Sequence, residues 1–171
     1  MTLMLRTLFI ALACWLALSA QAKVVFKGVV TYVTDGDTLW VEPVSGGPHQ
    51  KLRIAGIDAP EICQAGGTAS RDALMQWVLH REVSVTVKRK EKYARGLADL
   101  ELNGNDVGAL MVSAGQAWSY RVGRSLGPYA LQERAARQSR LGLFAAARVQ
   151  TPRNFRKRHG SCYKSRVKTS Y

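Results

Sequence analysis

The chain is poor in acid. Its 171 residues carry 12 Asp and Glu against 25 Lys and Arg, a formal charge of +13. Such an imbalance suits a polyanionic partner: nucleic acid first, an anionic membrane or cell-wall polymer second. Histidine is scarce too. His49, His80 and His159 stand apart with no paired spacing, which weighs against histidine-metal nucleases, phosphohistidine mechanisms and Ser-His-Asp hydrolysis. The sequence has no glycine-rich phosphate loop and no dinucleotide fingerprint. It has no internal repeat, and past residue 22 no apolar run long enough to span a bilayer.

What is present begins with a leader. Residues 1–22 hold one early positive charge, Arg6, an apolar run over 8–18, and the small-x-small ending Ala20-Gln21-Ala22. This predicts a secretory signal peptide cleaved after Ala22. A lipid-attachment reading at Cys14 is the alternative, although Leu12 and Ala11 stand in the wrong order for it. Cleavage removes Arg6 and no acid, leaving 24 basic against 12 acidic residues. About 149 residues remain, enough to bury a core without covalent staples. Two cysteines remain as well, Cys63 and Cys162. An even count in an exported chain makes a Cys63–Cys162 disulfide plausible, with two free thiols as the alternative. From Val107 onward there are thirteen Lys or Arg and a single acid, Glu133.

The pattern predicts a strand over 23–33 with a possible bulge at Gly28, a turn at Asp35-Gly36, and a second strand carrying Leu39 and Val41. Ser45-Gly46-Gly47-Pro48 reads as a hairpin turn, and 51–57 as the return strand. Thr68 is the expected N-cap of a helix over 68–80, with Ala69, Ala73, Leu74, Trp77 and Val78 facing the core. Strands are expected over 82–87 and 93–102, then a short helix capped by Asp106 and closed by Gly115. A third helix should start at Pro128 or Tyr129 and end at Leu141-Gly142. The expected organisation is a signal peptide over 1–22, one domain over 23–148 and a basic tail over 149–171. Five strands with one helix between the third and fourth, and helices at the end, predict an α+β, mainly β, fold: a small antiparallel barrel with about three helices.

Five of the twelve acids fall in one short stretch: Asp35, Asp37, Glu42, Asp58 and Glu61. Carboxylates held close repel and raise each other's pKa. A bound cation or interleaved guanidinium groups relieve that cost, and Arg53 stands among them. Arg53 and Asp58 are five apart, so a regular pleat would send them to opposite faces. If both serve one site, the chain must leave regular geometry near Gly56. Hard oxygen ligands suit calcium or magnesium rather than zinc. A cation, a carboxylate and planar arginine forks are the parts needed for attack of water on a phosphodiester.

Three blocks sharpen this. Asp35-Gly36-Asp37-Thr38, then Arg53-x-x-x-x-Asp58-x-Pro60-Glu61, then Lys92-Tyr93-x-Arg95-Gly96-Leu97-Ala98 resemble the staphylococcal nuclease (thermonuclease) family over about residues 23–144. The resemblance implies a five-stranded OB-fold barrel, one calcium ion, and cleavage of DNA and RNA to 3′-phosphorylated products. It assigns Asp37, Asp58 and the backbone carbonyl of Ala59 to calcium, Arg53 and Arg95 to the scissile phosphate, and Glu61 to the role of general base or water-orienting group. Lys92 and Tyr93 match positions lining the nucleotide pocket, and Tyr120 falls in the segment that packs against a base. Three positions depart from the family pattern: Ala94, Gly108 and Phe144 stand where glycine, asparagine and tryptophan are usual. A non-catalytic nucleic-acid-binding OB module and a wall- or membrane-associated basic protein are the competing readings. The latter predicts binding to anionic vesicles without nuclease activity.

Overall fold

Apolar and polar residues alternate along the first half of the chain, and the alternation becomes sheet. The computed structural model describes residues 24–90 and 95–162. The expected signal peptide, Lys92, Tyr93 and the tail beyond Cys162 lie outside the described residues. Strand β1 (Val24–Asp35) pairs antiparallel with β2 (Thr38–Pro43), and β2 with β3 (Gln50–Ile54). On its other side β1 pairs with β5 (Glu82–Lys90), which pairs with β6 (Gly96–Leu102). A parallel pairing of β3 with β6, Arg53 opposite Leu97, closes these strands into a barrel. This is the expected five-stranded barrel.

The alternation holds in the interior: Val30, Val33, Leu39, Val41, Leu52, Ile54, Val83, Val85, Ala98 and Leu100 are all buried. The irregularities of β1 lie not at Gly28 but between Val30 and Tyr32 and between Val33 and Asp35. The second one hands the chain to the turn at Gly36. Strand β3 stops at Ile54, short of the expected end. Gly56 takes φ +77, a left-handed conformation that suits glycine. A short strand β4 (Ile57–Asp58) follows and pairs with β8 (Trp118–Ser119).

Helix α1 (Gly67–Val78) fills the gap between the third and fourth barrel strands. Its N-cap is Gly66, with no side-chain cap, so Thr68 sits inside the helix rather than before it. It buries Ser70, Leu74 and Val78, with Trp77 partly buried against the core, while Ala69 is exposed. Short strand β7 (Asn105–Asp106) runs into α2 (Val107–Ser113), where Asp106 Oδ1 accepts from the backbone N–H of Ala109 at 3.0 Å. That is the expected cap. Helix α3 (Ala130–Gln138) leads to a 3₁₀ turn (Gly142–Ala145). There Phe144 meets Trp118 edge-on, centroids 5.7 Å apart, with the Arg137 guanidinium 4.1 Å above its ring.

A fourth helix, α4 (Pro152–His159), lies where only a polar basic tail was expected. Thr151 caps it through the backbone N–H of Asn154, at 3.4 Å, and Pro152 occupies its first turn. The expected disulfide between Cys63 and Cys162 is formed and fastens its far end.

Candidate active site

The β1–β2 turn, the β3–β4 break and the loop before α1 converge on one cleft of about 310 Å³. Its lining includes Asp35, Asp37, Arg53, Ala59, Glu61, Arg95 and Arg156. Gly36 makes the turn possible by close approach. A Cβ there would collide with Ser70 Oγ on α1 and fall 2.8 Å from the Ala59 Cβ. Any side chain would push the turn off α1 and away from Ala59.

Asp37 is pinned from every side. Its Oδ1 accepts from Thr38 Oγ1 at 2.8 Å, and its Oδ2 from the Ala59 backbone N–H at 3.3 Å. Its backbone C=O accepts from the N–H of Ile54 at 2.8 Å, and its own N–H donates to Asp35 Oδ1 at 3.2 Å. Arg53 Nη2 lies 3.1 Å from Asp37 Oδ2 and 3.0 Å from Asp58 Oδ1. One guanidinium thus bridges two carboxylates whose residues are each only 7% exposed. The break at Gly56 is what lets Arg53 and Asp58 share a side despite their odd spacing. Glu61 and Arg95 reach the same cleft from the loop after β4 and from the start of β6. Tyr120, 44% exposed, follows β8, and its ring centroid lies 5.8 Å from the Arg53 guanidinium carbon. Glu42 points to solvent, beside His49 at 4.0 Å.

Burial, with some crowding of negative charge, perturbs two of these carboxyls. Burial, then the charge of Asp37, pushes the Asp35 carboxyl up to about 7. Burial also raises Asp58; Asp37 adds to the rise, while Arg156 and Arg53 oppose it. Asp58 is thus raised even with two guanidinium groups in contact. Asp37, Asp58 and the backbone carbonyl of Ala59 are hard oxygen donors of the kind calcium or magnesium takes. No group of three or more His, Cys, Asp or Glu side chains able to hold a metal occurs among the described residues.

Arg156, on α4, was not singled out in the sequence. Its Nη1 donates to Glu61 Oε1 at 3.0 Å and to Asp58 Oδ1 at 3.2 Å. Its Nη2 donates to Asp58 Oδ1 at 3.2 Å and Oδ2 at 3.3 Å. Burial opposes its charge, yet attraction to Asp58 and the bonds to Glu61 and Asp58 prevail and hold its pKa above the ordinary value. The one sign of its helix was the Thr151-Pro152 pair, an N-cap followed by a residue favoured at the first helical position.

Glu133 has a different task. It is fully buried, and its Oε2 accepts from the Ser119 backbone N–H at 2.9 Å. Arg121 Nη2 and Arg137 Nε each lie 2.9 Å from its Oε1. The single acid beyond residue 106 thus ties β8, and the start of the Tyr120 segment, to α3.

Residues 51–146 match the family model described as "Staphylococcal nuclease homologue". Among curated proteins, a "Micrococcal nuclease" of Shigella flexneri is 34% identical, over 86% of this chain and 90% of the relative. "Protein ParB" of Escherichia coli is 34% identical over 83% of this chain and 85% of its own length. An "Uncharacterized endonuclease" of Haemophilus influenzae is 34% identical over 75% and 71%.

Proposed function

The chain belongs to the staphylococcal nuclease family, and from that premise we propose that it is an exported, calcium-dependent nuclease. Membership supports nuclease hydrolysis. Calcium, export, and a substrate range covering both DNA and RNA with little sequence preference are our reading. The observation that carries it is the bridge of Arg53 between Asp37 and Asp58 in a cleft that also holds Glu61 and Arg95.

Asp37, Asp58 and the carbonyl of Ala59 would hold the cation. When bound, it polarises a phosphoryl oxygen and lowers the cost of negative charge there. Glu61 orients the attacking water and accepts its proton. The water oxygen bonds to phosphorus, the bond from phosphorus to the 5′ oxygen breaks, and that oxygen takes a proton from solvent, leaving a 3′ phosphate and a 5′ hydroxyl. Arg53 and Arg95 offer planar forks to the oxygens whose charge grows in the transition state. Tyr120 offers a ring face to a base beside the reacting phosphate. Lys92 and Tyr93 are assigned to the nucleotide pocket from their sequence positions. The chain acts as a monomer, and the exposed basic residues of α4, Arg153, Lys157 and Arg158, add phosphate contacts.

The test is incubation of the purified protein with plasmid DNA and with RNA, in calcium and in excess EDTA, followed by end-group analysis. Cleavage in calcium to 3′-phosphate ends, abolished by EDTA, is expected. Full activity in chelator refutes the metal assignment. Binding without cleavage favours the non-catalytic module.

A further inference from the structure

We propose that Arg156 is a further residue of this site, a guanidinium that occupies Asp58 and Glu61 in competition with the divalent cation and so sets its affinity. The inference rests on the metal reading above. Arg156 forks onto both oxygens of Asp58 while reaching Glu61. Asp58 Oδ1 already receives Arg53 at 3.0 Å. Coordination brings a calcium ion to about 2.3–2.6 Å from a carboxylate oxygen. A guanidinium centred on the same pair of oxygens blocks that approach, and its own charge repels the ion. The two therefore compete for Asp58.

The helix is built to present this side chain. Arg153, Lys157 and Arg158 are exposed, whereas Arg156 is turned into the cleft. At the near end, Pro152 is buried and Gln64 Nε2 donates to the Gln150 carbonyl at 2.6 Å. At the far end, Cys162 is bonded to Cys63, two residues past Glu61. The loop that carries Glu61 and the helix that carries Arg156 are therefore covalently joined. That tether keeps the effective concentration of the guanidinium at Asp58 high. By linkage, whatever Arg156 subtracts from cation binding, the cation subtracts from the hold of Arg156.

The test is calorimetric titration of calcium chloride into the full chain, with thermal melts to verify folding. Arg156→Gln should bind calcium at least about tenfold more tightly than wild type, and Arg156→Lys, which keeps the charge without the fork, should fall between them. Cys63→Ser/Cys162→Ser, with Arg156 intact and its tether cut, should move affinity the same way by a smaller factor. Equal or weaker calcium affinity in Arg156→Gln overturns the inference and leaves the metal reading standing. If no version binds calcium, the metal reading itself fails and takes the inference with it. A raised KM for DNA in Arg156→Gln at unchanged calcium affinity also overturns it, making Arg156 a substrate contact.

Discussion

Replacing Glu133 by glutamine removes one charge from the interior at almost constant volume. The structure sets the cost. Glu133 accepts from a backbone N–H and two guanidinium groups, with its side chain 2% exposed. In Glu133→Gln the amide oxygen can take the place of Oε1 and keep both arginine contacts, now without the charge, while the NH₂ group must face the Ser119 N–H. Breaking a buried ion pair from one side costs about 3–5 kcal/mol. Arg121 and Arg137 are roughly half exposed, 53% and 47%, so water recovers part of their loss. The expected destabilisation is about 3 kcal/mol, at the low end of that range. For a domain of this size it corresponds to a melting temperature lowered by about 6–12 °C. Urea unfolding and thermal melts followed by circular dichroism measure it. Because β8 leads into Tyr120, the variant should also raise KM for DNA while leaving kcat near wild type well below its melting point. A loss under about 0.5 kcal/mol, the scale of an ordinary surface change, would refute the claim that this carboxylate fixes β8 to α3.

The other predictions follow the geometry. Arg53→Ala, Arg95→Ala and Glu61→Gln should each lower kcat by about a hundredfold or more with the fold retained; a wild-type rate in any one removes that residue from the chemistry. Gly36→Ala should lose both stability and activity because its methyl group collides with Ser70 and Ala59; a melting temperature within a degree or two of wild type contradicts the close approach. Tyr129 donates to Asp106 Oδ2 at 2.8 Å, and burial and that bond raise its phenol pKa. Its unfolded counterpart loses a proton near pH 10 while the folded one does not, so stability should fall as pH climbs past about 10. Tyr129→Phe should flatten that alkaline limb; an unchanged limb assigns it to other groups.

The barrel was legible because its strands alternate and its turns carry Gly, Pro and Asp. The site was legible because Arg53 and Asp58 can meet only through a break, and Gly56 marks the break. Helix α4 was not legible from periodicity. Its segment has Phe155 as its sole large apolar side chain among several cations, so no apolar stripe announces it, and its anchors are a proline, a loop glutamine and a disulfide. Arg156 therefore read as one more tail charge. The role of Glu133 was not legible either: nothing local reveals that Ser119 comes to meet it. The start of α1 was misjudged because Gly66, in a left-handed conformation, does by backbone shape what Thr68 was expected to do with a hydroxyl. Gly108, unusual for the family, leaves room for the Tyr129 hydroxyl, which would lie 2.8 Å from a Cβ there.

The parallel seam between β3 and β6 bears on how activity arises in time. Arg53 lies on that seam, and Arg95 stands one residue before β6 begins. Both reach the cleft only when strands more than forty residues apart in sequence have found each other. Such long-range pairing forms slowly compared with local turns. A refolding chain should therefore regain helical signal before it regains any hydrolytic rate, and recovery of activity is a clock for barrel closure. Partly folded chains, lacking the seam, would carry the residues of a nuclease without its danger.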